Sequence, residues 1–241
     1  MRVCIIIPVY NEQTIIGRNI ETVMMYAMKL PSELTVLIVN DGSKDATAQI
    51  LEGLLKLYEG KGLRVVTHPE NRGYGAALRT GIGFAVENHY DYALFMDCDL
   101  TNHPRYLSDF YGKMISGWDY IKATRYLKGG AVEGVPWSRR IVSIMGNSVA
   151  RLLYGLPLTD LTNGFRAVKV DILKQMTLTE TGFPIIMEEL HQAKYLTKSF
   201  CEVPYVLTSR NGEEGKTHFT YDMKTCLQYL KYAAWSFVKK K

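Results

Sequence analysis

Val3-Cys4-Ile5-Ile6-Ile7-Pro8-Val9-Tyr10-Asn11-Glu12 opens the chain with an apolar run that ends in polar residues. An unbroken apolar run of this kind reads as a strand buried on both faces, because a half-exposed strand alternates. Thr14 to Lys29 then places apolar residues at helical spacing, with Thr14 as N-cap and Leu30-Pro31 as the stop. The pattern repeats. Leu34–Val39, Leu63–Thr67 and Tyr92–Met96 read as buried strands, and the stretches from about Asp45 to Tyr58 and Gly75 to Asn88 as helices. Strands alternating with such helices build βαβ units, hence an α/β fold with a single doubly wound, mostly parallel sheet flanked by helices.

Beyond Leu100 the alternation loosens. Pro104–Ser116 and Ser138–Leu153 read as helices, Tyr120–Thr124 and Val203–Ser209 as strands, and Gly129–Pro136 as a loop. No repeat, low-complexity tract or linker divides the 241 residues. One domain over 1–220 is therefore expected, followed by an amphipathic C-terminal helix over 221–241.

Apolar residues make up 47% and charged residues 22%, the balance of an ordinary folded globule. Net charge is +5, too weak for a dedicated nucleic-acid binder but suited to anionic small ligands or an anionic membrane surface. Cys4, Cys98, Cys201 and Cys226 are scattered without CxxC spacing, which argues against zinc and disulfides and for a reducing compartment. The first apolar run is too short for a signal h-region, and no apolar stretch reaches the ~20 residues of a membrane span. The expected location is the cytoplasm, with peripheral membrane contact.

In an open parallel sheet, ligands bind beyond the carboxyl ends of the strands. Those ends carry Tyr10-Asn11-Glu12, Asn40-Asp41, His68 with Asn71-Arg72, and Asp97-Cys98-Asp99. Acids at three of four neighbouring ends repel one another unless a cation or donors lie between them. In an extended segment, Asp97 and Asp99 would point the same way and share one cation. Hard oxygen ligands without His or Cys favour Mg²⁺ or Mn²⁺, which bridge substrate phosphates. A lone Asp-x-Asp also ends ordinary strands in solvated acids; its register with Glu12 and Asp41 favours the metal. Asp41-Gly42-Ser43 before Asp45 is also ordinary turn and cap chemistry, with Asp45 as the cap and Asp41 left to accept from a nucleobase or ribose. Asn71-Arg72-Gly73-Tyr74-Gly75 fits neither GxGxxG nor GxxxxGK[ST], so it reads as a Gly-rich turn whose helix N–H groups could face phosphate.

Four segments together resemble glycosyltransferase family 2, of GT-A fold: Ile7–Glu12, Val39–Thr47, Asn71–Leu78 and Phe95–Leu100, in that order. Farther on, Ala123-Thr124-Arg125-Tyr126, Gly129-Gly130, Arg139-Arg140 and Leu161–Ala167 look like the dolichol-phosphate mannose synthase branch. That branch moves a hexose from GDP-mannose or UDP-glucose to a polyprenyl or dolichyl phosphate on the cytosolic membrane face. The resemblance implies a nucleotide-binding half over 1–100 and an acceptor-binding half over 101–220. It implies that Pro8, Tyr10, Glu12, Val39 and Asp41 hold the nucleoside, with Asp97, Cys98 and Asp99 at ribose, metal and diphosphate. It also implies Arg125 at the phosphates or the acceptor. Met187-Glu188 resembles the same branch, where the acid orients sugar hydroxyls or an arginine; the bland alternative is a buried helix acid paired to a basic neighbour.

A phosphate acceptor is already ionised at neutral pH and needs orientation and charge neutralisation, not a base. Arg125, Arg139, Arg140 and Arg166 are the candidates to guide it, since guanidinium binds phosphate bidentately. Their bland alternative is a solvated basic face, or for Arg139-Arg140 a helix skimming lipid headgroups. Asp99, Arg125 and Glu188 are thus the expected participants in the chemistry. Glu188 or Glu189 would instead be the base in a soluble family member that glycosylates a sugar or protein hydroxyl. A third alternative is a nucleotide-sugar-binding protein without activity, which the intact acid set argues against. In Arg210–His218 the resemblance departs: Arg210 is retained, Thr217 replaces Ser, and His218 stands where Lys is usual. Lys216 could take over the diphosphate contact, or His218 could be a metal ligand.

The end of the chain carries Leu227, Tyr229, Leu230, Tyr232, Trp235, Phe237 and Val238 before Lys239-Lys240-Lys241. An apolar, aromatic helix closed by lysines suits anionic lipid, and equally a core helix with a solvated tail. The expected partners are a nucleotide-sugar, a polyprenyl phosphate, the membrane surface and a membrane-anchoring protein, with no nucleic acid.

Overall fold

The computed structural model describes residues 1–134, 137–208 and 223–238, of which 137–140, 142 and 223–230 are described by backbone alone. Three βα repeats and a fourth strand come first: β1 (Arg2–Val9), α1 (Ile16–Ala27), β2 (Glu33–Asn40), α2 (Thr47–Leu57), β3 (Leu63–Thr67), α3 (Tyr74–Glu87) and β4 (Tyr92–Phe95). A 3₁₀ turn at Pro104–Tyr106 leads into α4 (Leu107–Ile115), β5 (Tyr120–Thr124), β6 (Ala131–Val132) and α5 (Trp137–Tyr154). Then come β7 (Arg166–Lys169), α6 (Val170–Leu173), α7 (Ile185–Leu196), β8 (Phe200–Pro204), β9 (Val206–Leu207) and α8 (Met223–Val238). The main sheet has seven strands in the order β3-β2-β1-β4-β7-β5-β8. All pairings are parallel except those of β7, which runs antiparallel to both β4 and β5.

The continuous apolar strands are explained by what covers them. Ile5 and Ile7 of β1 pack in one layer with Ile16, Ile20 and Val23 of α1, while Cys4 and Ile6 pack in the other with Ala77 and Leu78 of α3. Each fully buried aliphatic side chain contributes roughly 1.5–3 kcal/mol by leaving water. Helices on both faces make the double winding.

Three readings change. Thr14 is not a cap: α1 starts at Ile16 with no side-chain cap, and its entry is closed by the Glu12 carbonyl accepting from Ile15 and Ile16 N–H. The stretch 129–136 is not simply a loop, because it contains β6, which pairs in parallel with β9. The single strand read over 203–209 is two: Tyr205 N–H bonds the Thr124 carbonyl at the end of the main sheet, and the chain then joins β6.

Below the second half of the sheet lies a polar layer. Tyr120, Lys122 and Thr124 alternate with Ile121 and Ala123 along β5, and all five are buried. Arg166 is fully buried opposite Lys122. Its Nε and Nη2 donate to the two oxygens of Glu189 at 2.6 and 2.5 Å, and Nη1 donates to the Gly164 carbonyl at 2.8 Å. Tyr120 donates to Glu189 at 2.7 Å, and Lys122 Nζ donates to the Asn163 carbonyl at 2.5 Å.

Removing one partner of a buried ion pair strands the other charge and costs about 3–5 kcal/mol, against under about 1 kcal/mol for an exposed pair. Glu189→Ala should therefore lower the urea midpoint far more than Asp171→Ala, which breaks the exposed bond to Lys174; equal shifts would contradict the buried pair. Burial, followed by the Arg166 charge, holds Lys122 down at about 7. The unfolded chain then binds more protons than the folded one above that value, so this lysine makes stability rise with pH between about 7 and its ordinary 10.5. Stability measured from pH 7 to 9 should rise less steeply in Lys122→Met than in the unaltered chain.

Candidate active site

Because β1, β2, β3 and β4 are parallel, their carboxyl ends share one edge, and β2, β1 and β4 are consecutive there. Glu12, Asp41 and the pair Asp97 and Asp99 therefore leave neighbouring strand ends. The loops are laced together: Asn11 N–H donates to Ser43 Oγ at 3.0 Å, Lys44 N–H to Asn11 Oδ1 at 2.8 Å, and Glu12 N–H to Thr47 Oγ1 at 2.9 Å. Asn11 adopts the left-handed region (φ 53°) to make this crossing. Asp45 is not the cap read from the sequence: the cap position of α2 is Ala46, and Asp45, one residue before it, accepts from Thr47 N–H at 3.0 Å in the turn that enters the helix.

Asp41 is buried and already engaged. Oδ1 accepts from His68 Nδ1 at 2.7 Å and from Arg72 N–H at 2.9 Å, and Oδ2 accepts from Gly73 N–H at 2.8 Å. His68 also meets Thr80 Oγ1 through Nε2 at 2.9 Å. A carboxylate has room for about four such bonds, so Asp41 can take at most one more donor while it pins the glycine-rich turn.

The Asp97-x-Asp99 segment is not extended, contrary to the sequence reading. β4 ends at Phe95, residues 98–99 form a turn, and Leu100 takes a left-handed conformation (φ 60°). That conformation is costly for leucine, and the turn is held by Asp99 Oδ1, which accepts from Thr101 N–H at 3.0 Å and Thr101 Oγ1 at 2.7 Å. Asp97 Oδ2 accepts from Asn102 Nδ2 at 2.9 Å, and the Tyr74 hydroxyl lies near the same carboxylate, both facing Gly164. Burial first, then the charge of Asp99, pushes the Asp97 carboxyl up to about 7, while Arg166 below pulls it down. Two hard carboxylates that repel across one turn fit a divalent cation, which would relieve the repulsion.

Val39 and Cys98 are buried in the core, so only their backbone can face a nucleotide. Pro8 lies on β1 in register with Val39, and Tyr10 follows the strand end, both partly exposed. Arg125 is held by Asp160, with Nε and Nη2 donating at 2.6 and 2.8 Å and Nη2 also reaching Thr162 at 3.3 Å. Asp160 is fully buried and fixes the orientation of a partly exposed guanidinium.

Arg166 cannot be an acceptor-phosphate residue in this arrangement, because its guanidinium is fully buried and spent on Glu189 and Gly164. Glu188 is not poised as a base. Its oxygens accept from Thr179 N–H at 3.0 Å, Thr179 Oγ1 at 2.7 Å and Glu180 N–H at 2.9 Å. Glu189 is committed to Arg166 and Tyr120. The side chains of Arg139 and Arg140, on the first turn of α5, and all of Arg210, Lys216 and His218 lie outside the described residues. Among the described residues, no group of three or more His, Cys, Asp or Glu is arranged to hold a metal.

Sequence reading missed Tyr74, Asn102, Asp160, Lys122 and Asn147. Asn147 is buried on α5, donates to Thr162 Oγ1 at 3.0 Å and accepts from Leu161 N–H at 2.8 Å, fixing the segment that carries Asp160. A polar residue in a helical register otherwise lined by Ala150 and Tyr154 was the available signal.

A family model described as glycosyl transferase family 2 matches residues 4–177. Polyprenol monophosphomannose synthase of Mycolicibacterium smegmatis is 28% identical over 212 residues, covering 87% of this chain and 78% of that protein. Undecaprenyl-phosphate mannosyltransferase of Micrococcus luteus is 29% identical over 222 residues, covering 90% and 87%. Among solved structures, glucosyl-3-phosphoglycerate synthase of Mycobacterium tuberculosis with Mn²⁺, UDP-glucose and phosphoglyceric acid superposes with a TM-score of 0.67 at 16% identity, over 99% of this chain and 80% of that one. The same enzyme with Mg²⁺ and UDP gives the same TM-score. The chain thus shares the fold of that enzyme, and the family match over residues 4–177 agrees with its four strand-end motifs: the protein belongs to glycosyl transferase family 2.

Proposed function

We propose that this glycosyltransferase moves a hexose, mannose or glucose, from a nucleotide-sugar to a polyprenyl phosphate at the cytosolic face of a membrane, inverting the anomeric centre. The observation that carries the reading is the state of the two acids offered as bases. Glu188 and Glu189 are both consumed by internal hydrogen bonds, so the acceptor best suited to the site is one already ionised. The two mannosyl-transferring relatives support the same acceptor class.

Asp97 and Asp99 would hold Mg²⁺ or Mn²⁺, which supplies charge neutralisation for the departing nucleoside diphosphate. Glu12 and the remaining acceptor capacity of Asp41 face the nucleoside at the ends of β1 and β2, with Pro8 and Tyr10 beside them. Arg125, oriented by Asp160, presents the guanidinium edge that neutralises and aligns the acceptor phosphate for in-line attack. Arg139 and Arg140, at the start of α5, are the further residues offered for that anion path. Arg210, Lys216 and His218 complete the diphosphate side of the reading.

α5 supports a membrane surface. Ile141, Ile144, Met145, Val149 and Leu152 form an exposed apolar stripe at helical spacing, while polar Asn147 faces inward. On α8, Tyr232, Ala233 and Ser236 pack inward and Trp235, Phe237 and Val238 face out. The two helices pack together, so the outward apolar residues lie on adjoining helices, with Lys239-Lys240-Lys241 following α8. None of the described helices is long and apolar enough to cross a membrane.

Radiolabelled GDP-mannose and UDP-glucose, each with Mg²⁺ or Mn²⁺, should yield butanol-extractable label from a short-chain polyprenyl phosphate. Asp99→Ala should reduce that label on the order of 10²-fold or more, the scale of losing one key electrostatic element. Label confined to water-soluble glycan would contradict the reading. Met145→Glu with Leu152→Glu should cut co-sedimentation with anionic vesicles while sparing turnover of a detergent-dispersed short-chain acceptor.

A further inference from the structure

The segment 177–181, between α6 and α7, lies as a strap across the glycine-rich turn that opens α3. Gly75 N–H donates to the Thr181 carbonyl at 2.7 Å. A Cβ on Gly73 would collide with the Thr181 carbonyl, and one on Gly75 with the Glu180 carbonyl. Gly73 also has φ 94°, so both glycines are required by this close approach. Phe183, just past the strap, stacks on Tyr74 with ring centroids 4.6 Å apart. Arg79 of α3 donates to the Thr179 carbonyl at 2.6 Å. On its far side the strap is held by Glu188, whose carboxylate takes Thr179 N–H, Thr179 Oγ1 and Glu180 N–H.

The turn is thus gripped from two directions. Asp41 holds Arg72 and Gly73 N–H, and the strap holds Gly75 N–H. Between those grips sits Tyr74, whose hydroxyl faces the same point as the Asp97 carboxylate, 3.2 and 3.9 Å from where a Cβ on Gly164 would stand.

We propose that Glu188 is a positioning residue for donor binding: through the 179–181 strap it fixes the Gly73–Gly75 turn and so sets Tyr74 against Asp97. This rests on the donor site proposed above. The acid that sequence resemblance placed in the chemistry acts on the far side of the strap, through backbone N–H groups.

Glu188→Gln keeps the shape and one acceptor oxygen but turns an NH₂ toward Glu180 N–H. Tyr74→Phe keeps the stack on Phe183 and removes the hydroxyl that lies by Asp97. Both should weaken calorimetric binding of GDP or UDP with Mn²⁺ by about 10-fold, the scale of one hydrogen bond to a charged group. In turnover, the donor KM should rise similarly with kcat within about threefold, since the loss is of binding and not of chemistry. The double variant should be no weaker than about the worse single one, because both act on one contact. A large fall in kcat at unchanged donor KM for Glu188→Gln would overturn the proposal in favour of a base or a direct sugar contact. Additive effects would overturn it as well. If Glu188→Gln does not fold, Tyr74→Phe and Thr179→Val, which removes only the hydroxyl bond to Glu188, carry the same test. Unaltered protein that binds neither nucleoside diphosphate would overturn the donor site itself, whereas binding that neither variant changes would overturn only the role of Glu188.

Discussion

The ion pair between Arg166 and Glu189 lies beneath the whole arrangement. Arg166 sits on the one antiparallel strand, β7, which joins the nucleotide-side strands to β5 and β8. Its guanidinium stacks 4.1 Å over the Phe95 ring, two residues before Asp97, and also caps the Gly164 carbonyl. Two fully buried charges are tolerable only when almost every donor and acceptor is met, and here Tyr120 adds a third bond. The pair therefore ties β7 to α7 and, through Tyr120, to β5, and it places a positive charge below Asp97.

From that base, function follows a division of labour among acids. Glu188, Glu189 and Asp160 face inward and hold other groups: the strap, Arg166 and Arg125 respectively. Asp97 and Asp99 end a strand in a strained turn, close enough to repel. Acids spent on structure cannot take protons from an acceptor, whereas acids that repel one another favour a cation. This contrast is the physical basis for reading the site as one that binds two anionic groups, the diphosphate of the donor and the phosphate of the acceptor.

The first hundred residues were legible because β1, the second half of β2 and β4 are buried on both faces, and even the half-covered edge strand β3 keeps apolar residues, so hydrophobic run length and spacing carried the answer. The strand ends were legible for the same reason, since direction alone puts Glu12, Asp41 and Asp97 on one edge. β7 was not, because a four-residue strand beginning and ending in Arg166 and Lys169 shows no apolar run. β6 and β9, two residues each, exist only through their mutual pairing. The roles of Arg166 and Glu188 were misread for a different reason. A sequence shows an ionisable group but not its partner, and the partners here are a distant acid for one and backbone N–H groups for the other. Tyr74 likewise gained meaning only when the fold brought it to Asp97.

The central claim is that the acceptor enters as an anion and no protein base is needed. Turnover of a short-chain polyprenyl phosphate measured against the matching polyprenol, at saturating donor and metal, tests it most directly. The phosphate should be favoured by about 10³-fold or more, as for a site whose charged groups are left unpaired by the wrong substrate. Comparable turnover of the free alcohol would contradict the account.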